Sequence, residues 1–239
     1  MYPIFIPSRG RYENNITANM LLNVCLPFYL VVEAKEYQAY VDKFGKKRVL
    51  NLGGSDYGGV EFARNFIKKY AKEKLKAKRH WQLDDDIGGL MEVQNRVTLS
   101  TDVIRILTKA ETFVDQFKNI AIAGLSSNVF GRLSEQPVKF NKFAYTCMLI
   151  KSDLPYEWIK GVEDDLDFNL QCLTAGWCTV QFSMFLFKWT TTGTLAGGYT
   201  DLYAEGRRLK RQQNTLRKWP QYLTKLAPKS SGGYRIVTN

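Results

Sequence analysis

Three adjacent carboxylates, Asp84, Asp85 and Asp86, follow the run Arg79-His80-Trp81-Gln82-Leu83, where a short buried strand should end. Like charges side by side repel unless a cation or ligand answers them, and a hard divalent metal holding a substrate diphosphate answers one or two carboxylates. In an extended chain Asp84 and Asp86 point to one side and Asp85 to the other. The D-x-D pair therefore presents its oxygens to a single metal and nucleotide. Taken alone, the triplet reads equally as a solvated acidic loop.

A second cluster, Glu163-Asp164-Asp165, follows Lys160-Gly161-Val162 and opens a segment in which Leu166, Leu170 and Leu173 recur at helical spacing. Acidic residues at a helix start also cap free amides and complement the dipole, worth about 0.3 to 1 kcal/mol each. That accounts for one or two of them. With Asp167 further on and Gly161 just before, the run fits a helix N-terminus that positions a catalytic carboxylate. One acidic cluster for a metal and another for a base suit displacement at an electrophilic carbon bearing a diphosphate leaving group.

These groups need elements to hold them. Strand-like runs lie at 2–6, 29–33, 48–52, 81–83, 120–123, 143–150 and 179–187. Between them, Phe62, Phe66, Ile67, Tyr70 and Ala71 share one helical face, and Val103, Leu107, Ala110, Val114 and Phe117 another. The alternation predicts an α/β fold with a largely parallel sheet, crossover helices, and ligands at the carboxyl ends of the strands. Pro7-Ser8-Arg9-Gly10-Arg11 follows the first strand, Glu33 ends the second, Gly53-Gly54 follows the third and Asp84 the fourth. Neither the phosphate loop G-x-x-x-x-G-K-[ST] nor a G-x-G-x-x-G after the first strand is present. Arg9 and Arg11 stand there instead, with planar forks that suit a phosphate or nucleobase and equally a surface ion pair. Arg64-Asn65 lies early in a helix after Gly58-Gly59, a place for a ribose or diphosphate, or for an ordinary glycine turn.

At 239 residues, 45% of them hydrophobic, the chain suits one mixed domain: a core over 1–200 and, within the same domain, a basic helical segment and flexible tail over 201–239. The apolar stretch 20–32 is broken by Asn23 and Pro27 and falls short of the roughly 20 residues of a spanning helix, so no membrane partner is expected. Met1-Tyr2-Pro3-Ile4-Phe5-Ile6-Pro7 lacks signal-peptide character. Cys25, Cys147, Cys172 and Cys178 form no C-x-x-C pair and read as buried free thiols. A monomer in the cytoplasm, the host's if the chain is viral, is expected. The net charge of +11 is uneven: from Gly206 onward nine Lys or Arg stand with no acidic residue. Arg207, Arg208, Lys210 and Arg211, with Trp219 and Tyr222 nearby, suit a polyanion surface, nucleic acid first. The run 68–79, also basic, reads as a solvated helix face.

The ordered set IPSRGR, VVE, GGVEFARN, HWQLDDDI and GVEDDLDFNLQCLTAGW resembles the GT-A class of nucleotide-sugar glycosyltransferases over roughly the first three quarters of the chain. WQLDDDI, GGYTDLYAEGRR and Trp219-Pro220 bring it closest to the bacteriophage TET-associated glycosyltransferases, a family associated with adding sugars to 5-hydroxymethylcytosine in DNA. The resemblance implies a mostly parallel, Rossmann-like GT-A sheet and a UDP-sugar donor. It places Arg9, Arg11 and Glu33 at the nucleoside, and Arg64, Asn65, Asp84 and Asp85 near the ribose and diphosphate. Asp84 and Asp86 would hold Mn2+ or Mg2+, and Asp164 would be the general base of an inverting transfer. Glu163 and Asp165 would flank it, and a register ambiguous by one residue leaves Asp165 a rival base. The C-terminal histidine that completes the metal shell in many GT-A enzymes is absent, since the one histidine is His80. Lys188, Thr190, Thr191, Thr192 or water must then help with the diphosphate. The implied acceptor is double-stranded DNA containing 5-hydroxymethylcytosine, with a glycan or protein acceptor, or an inactive DNA-binding scaffold, as the alternatives.

Overall fold

Short apolar runs with alternating residues are stable as strands of a sheet covered on both faces, and the chain folds accordingly. The computed structural model describes residues 1–53, 59–94, 97–100, 102–129, 135–189, 207–228 and 234–238. Strands β1 (Ile4–Pro7), β2 (Tyr29–Val32), β3 (Val49–Asn51) and β4 (Arg79–Leu83) form one half of a ten-stranded mixed sheet. The other half holds β5 (Ile87–Gln94), β6 (Val97–Ser100), β7 (Ile120–Ser127), β8 (Val138–Phe140), β9 (Cys147–Lys151) and β10 (Cys178–Trp189). The order is β3-β2-β1-β4-β9-β7-β10-β5-β6, with β8 alongside β10. The first half is parallel throughout, as is the pair β7 and β10, while β9 runs antiparallel between β4 and β7.

Alternate residues of each strand serve opposite layers. Ile4, Ile6, Leu30, Val32, Trp81 and Leu83 meet α1 (Ile16–Asn23), α2 (Tyr37–Phe44) and α4 (Val103–Val114) through Leu21, Tyr40, Phe44, Ile106 and Leu107. On the other face Phe5 and Val31 pack against Ala63, Ile67 and Ala71 of α3 (Gly59–Glu73). There too, Ile122, Met148 and Ile150 pack against Phe168 and Cys172 of α5 (Asp164–Thr174). Helix α6 (Arg207–Lys218) is followed by an antiparallel pair, β11 (Leu223–Pro228) and β12 (Tyr234–Thr238).

Several expectations need correction. Helices α1 and α2, eight residues each, have too few turns for the apolar period to announce them. Asn15, fully buried, caps α1, accepting from the Ala18 N–H at 2.8 Å. The basic run 68–79 is not wholly solvated: Lys68 and Arg79 are buried, Lys68 on carbonyls of the 154–156 segment and Arg79 on the Ile120 carbonyl at 2.9 Å. Cys25 is exposed rather than buried. Gly54, Gly58, Thr190, Thr191, Thr192, the segment 197–206 and the tail residues Ser230-Ser231-Gly232-Gly233 lie outside the described residues.

Gly124 on β7 lets the segment 141–146 approach closely. A Cβ there would stand 2.6 Å from the Ala144 Cβ and 3.3 Å from the Cys147 carbonyl oxygen. Ala144 has little room to retreat, because Asn169 of α5 bonds both its N–H (3.1 Å) and its carbonyl (2.9 Å). Gly124→Ala is therefore expected to cost about 1–3 kcal/mol by overpacking, a fall of about 2–10 °C in Tm by calorimetry. An unchanged Tm would show that the segment yields freely.

Candidate active site

Because β1, β2 and β4 are parallel, their carboxyl ends share one sheet edge, where the chain turns at Ser8, Glu33 and Asp84. Residues 85 and 86 form a turn rather than extending β4. Exposure still alternates: the side chains of Asp84, Asp85 and Asp86 are 32%, 8% and 20% exposed. Asp85 is held inward by the Ser8 hydroxyl at 2.6 Å and by the Arg11 guanidinium. Ser8 gives its one proton to Asp85 and accepts from Asn15 Nδ2 (3.0 Å) and the Tyr40 hydroxyl (2.7 Å). Tyr40, its pKa pushed up to about 12 chiefly by burial, stays protonated and accepts the Arg11 N–H at 3.1 Å. Arg11 also reaches Asp86 at 3.5 Å, so its fork braces the acidic turn. Arg9 and Glu33 stand 4.0 Å apart at the neighbouring strand ends, with Lys35 3.1 Å from Glu33.

Helix α3 turns a polar stripe inward at i, i+3, i+4 and i+7: Glu61, Arg64 and Lys68, which are buried, and Asn65, which is half-buried. Arg64, 2% exposed, is its centre. Its Nη2 lies 3.1 Å from Asp84 and 3.5 Å from Asp165, its Nε 3.6 Å from Asp164, and its Nη1 donates to Gln82 Oε1 at 3.3 Å. The Gln82 amide donates to the Arg64 carbonyl (3.2 Å) and to His80 Nε2 (3.0 Å). His80 Nε2 is thus an acceptor and Nδ1 donates to Ser152 Oγ at 2.9 Å. The ring is neutral, its pKa pushed down to about 3 by burial and then by Lys68, and both nitrogens have structural partners. Asn65, expected near the ribose, instead clamps the Trp158 backbone, donating to its carbonyl (2.8 Å) and accepting its N–H (3.0 Å).

The loop so clamped leads into α5, whose first residues are Asp164 and Asp165, with Glu163 at the N-cap position. Thr146, a β-branched residue held at φ 62°, joins the two acidic clusters. Its carbonyl takes the Asp84 N–H at 2.8 Å and its backbone hydrogen-bonds Asp165. Helix α6 closes the opposite side. Arg211, expected on a DNA-facing surface, turns inward to Asp164 (2.8 Å) and Glu61 (2.9 Å). Thr215 Oγ1 accepts the Glu163 N–H at 2.8 Å, and Asn214 Nδ2 donates to the Gly161 carbonyl at 2.9 Å. Fully buried Asp167 takes Lys218 at 2.6 Å and the Trp219 indole at 2.7 Å. Arg208 and Lys210 are exposed, and Arg207 opens the helix.

Burial raises Asp84 to about 7 and Asp165 to about 8; Arg64 pulls both back, and the neighbouring carboxylates raise them further. Asp85 and Asp86 are also raised, again by burial first. In the described part of the site six carboxylates (Glu61, Asp84, Asp85, Asp86, Asp164, Asp165) share the guanidiniums of Arg11, Arg64 and Arg211. A divalent cation fits such a cluster, because it favours the ionised form of carboxyls that burial holds protonated near neutral pH. Among the described residues no three His, Cys, Asp or Glu side chains are grouped to hold an ion. Asp84 and Asp86, the more exposed members of the triplet, would supply the protein's ligands, with phosphate oxygens and water completing the shell. Lys188, exposed near the end of β10, has its Cδ 3.8 Å from where a Gly88 Cβ would sit, beside the acidic turn.

The sequence drew attention to Arg64, to both acidic clusters and, as part of a polyanion surface, to Trp219, but not to Glu61, Thr146 or Thr215. Glu61 had a signal, an acidic residue one turn before Arg64 on the same helical face. Thr146 had none, since nothing in a threonine's neighbours announces a positive φ.

The profile of the TET-associated glycosyltransferase family matches residues 2–198. A crystal structure of a protein assigned as a nucleotide-diphospho-sugar transferase from Desulfovibrio desulfuricans G20 is similar at 11% identity and a TM-score of 0.49, covering 92% of this chain and 96% of that one. Protein A197 from STIV is similar at 12% identity and a TM-score of 0.46, covering 77% and 83%. No curated protein matches the sequence significantly. No helix among the described residues is long and apolar enough to cross a membrane.

The raised carboxyl of Asp165 yields a signed pH dependence. The folded state holds this proton up to about pH 8, whereas an unfolded Asp loses it near pH 4, so this group's share of stability is greatest below pH 4 and is lost as pH rises to about 8. Asp165→Asn carries no such loss. In chelator-treated protein its Tm is expected to gain on wild type as pH goes from 5 to 8, and to hold that gain above. A difference in Tm that stays flat with pH would show that Asp165 is ionised throughout.

Proposed function

The chain belongs to the TET-associated glycosyltransferase family and is a glycosyltransferase, and we propose that it transfers a sugar from a UDP-sugar to the hydroxymethyl group of 5-hydroxymethylcytosine in double-stranded DNA. The observation that carries this reading is the convergence on Arg64 of Asp84, from the D-x-D turn, and of Asp164 and Asp165, from the start of α5. The two groups that a displacement needs, an anchor for the leaving diphosphate and a base for the incoming hydroxyl, thereby stand on either side of one guanidinium.

In the proposed reaction Asp164 takes the proton of the acceptor hydroxyl as its oxygen bonds to C1 of the sugar. The C1–O bond to the diphosphate breaks, and its electron pair leaves with UDP. A metal held by Asp84 and Asp86 would supply Lewis-acid neutralisation of that charge. Lys188 stands on the same edge to add to it. A single displacement of this kind inverts the anomeric centre. Arg9, Arg11 and Glu33, at the ends of β1 and β2, line the side assigned to the nucleoside, Arg11 acting by bracing Asp85 and Asp86. The acceptor assignment is supported by the basic α6, whose exposed Arg208, Lys210 and Arg217 lie next to the element that carries Asp164. The target base, flipped from the duplex, gives its hydroxymethyl room beside the donor.

A panel of UDP-sugars with hydroxymethylated DNA, plain DNA and glycan acceptors, read by nucleoside mass, tests this directly. Added hexose or pentose mass on hydroxymethylcytidine alone is expected; transfer only to glycans would overturn the acceptor. Asp164→Asn is expected to lower transfer about 100-fold or more while donor affinity stays. The same loss in Asp165→Asn, with Asp164→Asn active, would move the base by one residue. Neutralising Arg208, Lys210 and Arg217 should lower DNA affinity for all sequences alike and flatten its salt dependence by a slope of about 0.9 per lost phosphate contact. Unchanged salt slopes would shift the DNA surface to the exposed lysines of 69–78.

A further inference from the structure

We infer that α6 is a working part of the catalytic site and that its Arg211 is a positioning residue, fixing Asp164 in the orientation in which it meets the acceptor hydroxyl. The inference rests on the base assignment proposed above and concerns a residue outside the family match, which ends at residue 198.

A helix that merely covers a sheet buries an apolar stripe. Among the described side chains of α6 the buried ones are Gln212, 4% exposed, and Thr215, 0% exposed, and the residues beside them are directed at one short run of chain. Asn214 holds the Gly161 carbonyl, Thr215 the Glu163 N–H, Arg211 the Asp164 carboxylate and Lys218 the Asp167 carboxylate. Four points within seven residues, 161 to 167, are thus gripped by a single helix. Such polar complementarity serves placement better than burial.

The geometry at Asp164 is specific. Oδ1 lies 2.8 Å from Arg211 Nη2, and Oδ2 lies 3.6 Å from Arg64 Nε. Each oxygen faces a different guanidinium, so the rotation of the carboxylate about its own axis is set from both sides. A second ion pair restrains Arg211 from following the carboxylate: its Nη1 lies 2.9 Å from Glu61 Oε1, and Glu61 is itself buried on α3. Glu61, Arg211, Asp164, Arg64 and Asp84 form a chain of ion pairs in which α6, α5 and α3 are linked to the D-x-D turn. Displacing a reacting group by about 1 Å costs about 100-fold, and Arg211 is what limits that displacement on the α6 side.

The test compares Arg211→Ala and Arg211→Lys with wild type in kcat, in KM for the UDP-sugar, and in the rate of UDP-sugar hydrolysis without DNA. Arg211→Ala is expected to lose about 10- to 100-fold in kcat with donor KM within about threefold, the pattern of a contact that matters in the transition state. Arg211→Lys should recover part of the loss, and millimolar guanidinium should restore activity to Arg211→Ala. If Arg211→Ala fails to fold, Glu61→Gln combined with Arg211→Gln keeps the local charge balance and carries the same expectation, including recovery by guanidinium. Wild-type or higher kcat in Arg211→Ala would overturn the inference, as would a loss that neither lysine nor guanidinium relieves. Should wild type act on no DNA, the acceptor reading fails alone, since hydrolysis, with water as acceptor, still reads the orientation of Asp164.

Discussion

A guanidinium buried to 2% exposure is tolerable only while carboxylates stay around it, and Arg64 meets that condition by drawing together Asp84, Asp164 and Asp165, residues separated by eighty positions of chain. Breaking such an arrangement by removing one partner typically costs about 3–5 kcal/mol, whereas a well-packed apolar replacement of the whole would cost little. Its value is therefore in placement. The strand end carrying the D-x-D turn and the helix start carrying the candidate base are kept in fixed relation by one side chain, and the rest of α3's polar stripe extends the same service. Asn65 and Lys68 fix the loop that enters α5, and Glu61 anchors the helix that closes over it.

The electrostatic consequence is a site held short of neutrality. Carboxylates outnumber guanidiniums, and burial lifts Asp84 and Asp165 toward and past neutral pH despite Arg64. A carboxyl cluster of this kind favours a cation arriving with a diphosphate over a diphosphate alone, because the cation both favours ionised carboxylates and offsets their repulsion of the phosphates. The network around Ser8 works in the opposite sense: every donor and acceptor of that hydroxyl is used, so Asp85 is immobilised and the turn leaves Asp84 and Asp86 outward.

Much of this was legible in the sequence where the signal was local. Strands β1 to β4 announce themselves by apolar runs, and the polar residues at their ends are conspicuous because parallel sheets put ligands there. The first acidic cluster was visible for the same reason, and Arg64 and the second cluster because each lies near the start of a helix. What escaped was set by tertiary contact. Asn65 has the same type and helical phase whether it faces a ribose or a backbone, and the partner that decides, Trp158, is far along the chain. Arg211 reads as one basic residue among many, since the carboxylates that turn it inward belong to α3 and α5. Strands β5 and β8, partly exposed, lack the continuous apolar run of the central strands, and two-turn helices such as α1 give the period too little length.

Arg211 lies well beyond Arg64 and both acidic clusters in the order in which a ribosome delivers the chain. Folding during synthesis proceeds from the N-terminus, so Arg64, Asp84 and Asp164 can come together while the segment bearing Arg211 is still being made or still within the exit tunnel. In that interval Arg64 is the guanidinium beside Asp164, and Arg211, which later joins Asp164 to Glu61, has still to arrive. The acidic centre therefore takes its final arrangement of charges only when α6 docks, after the strands that frame it are already in the chain that has emerged.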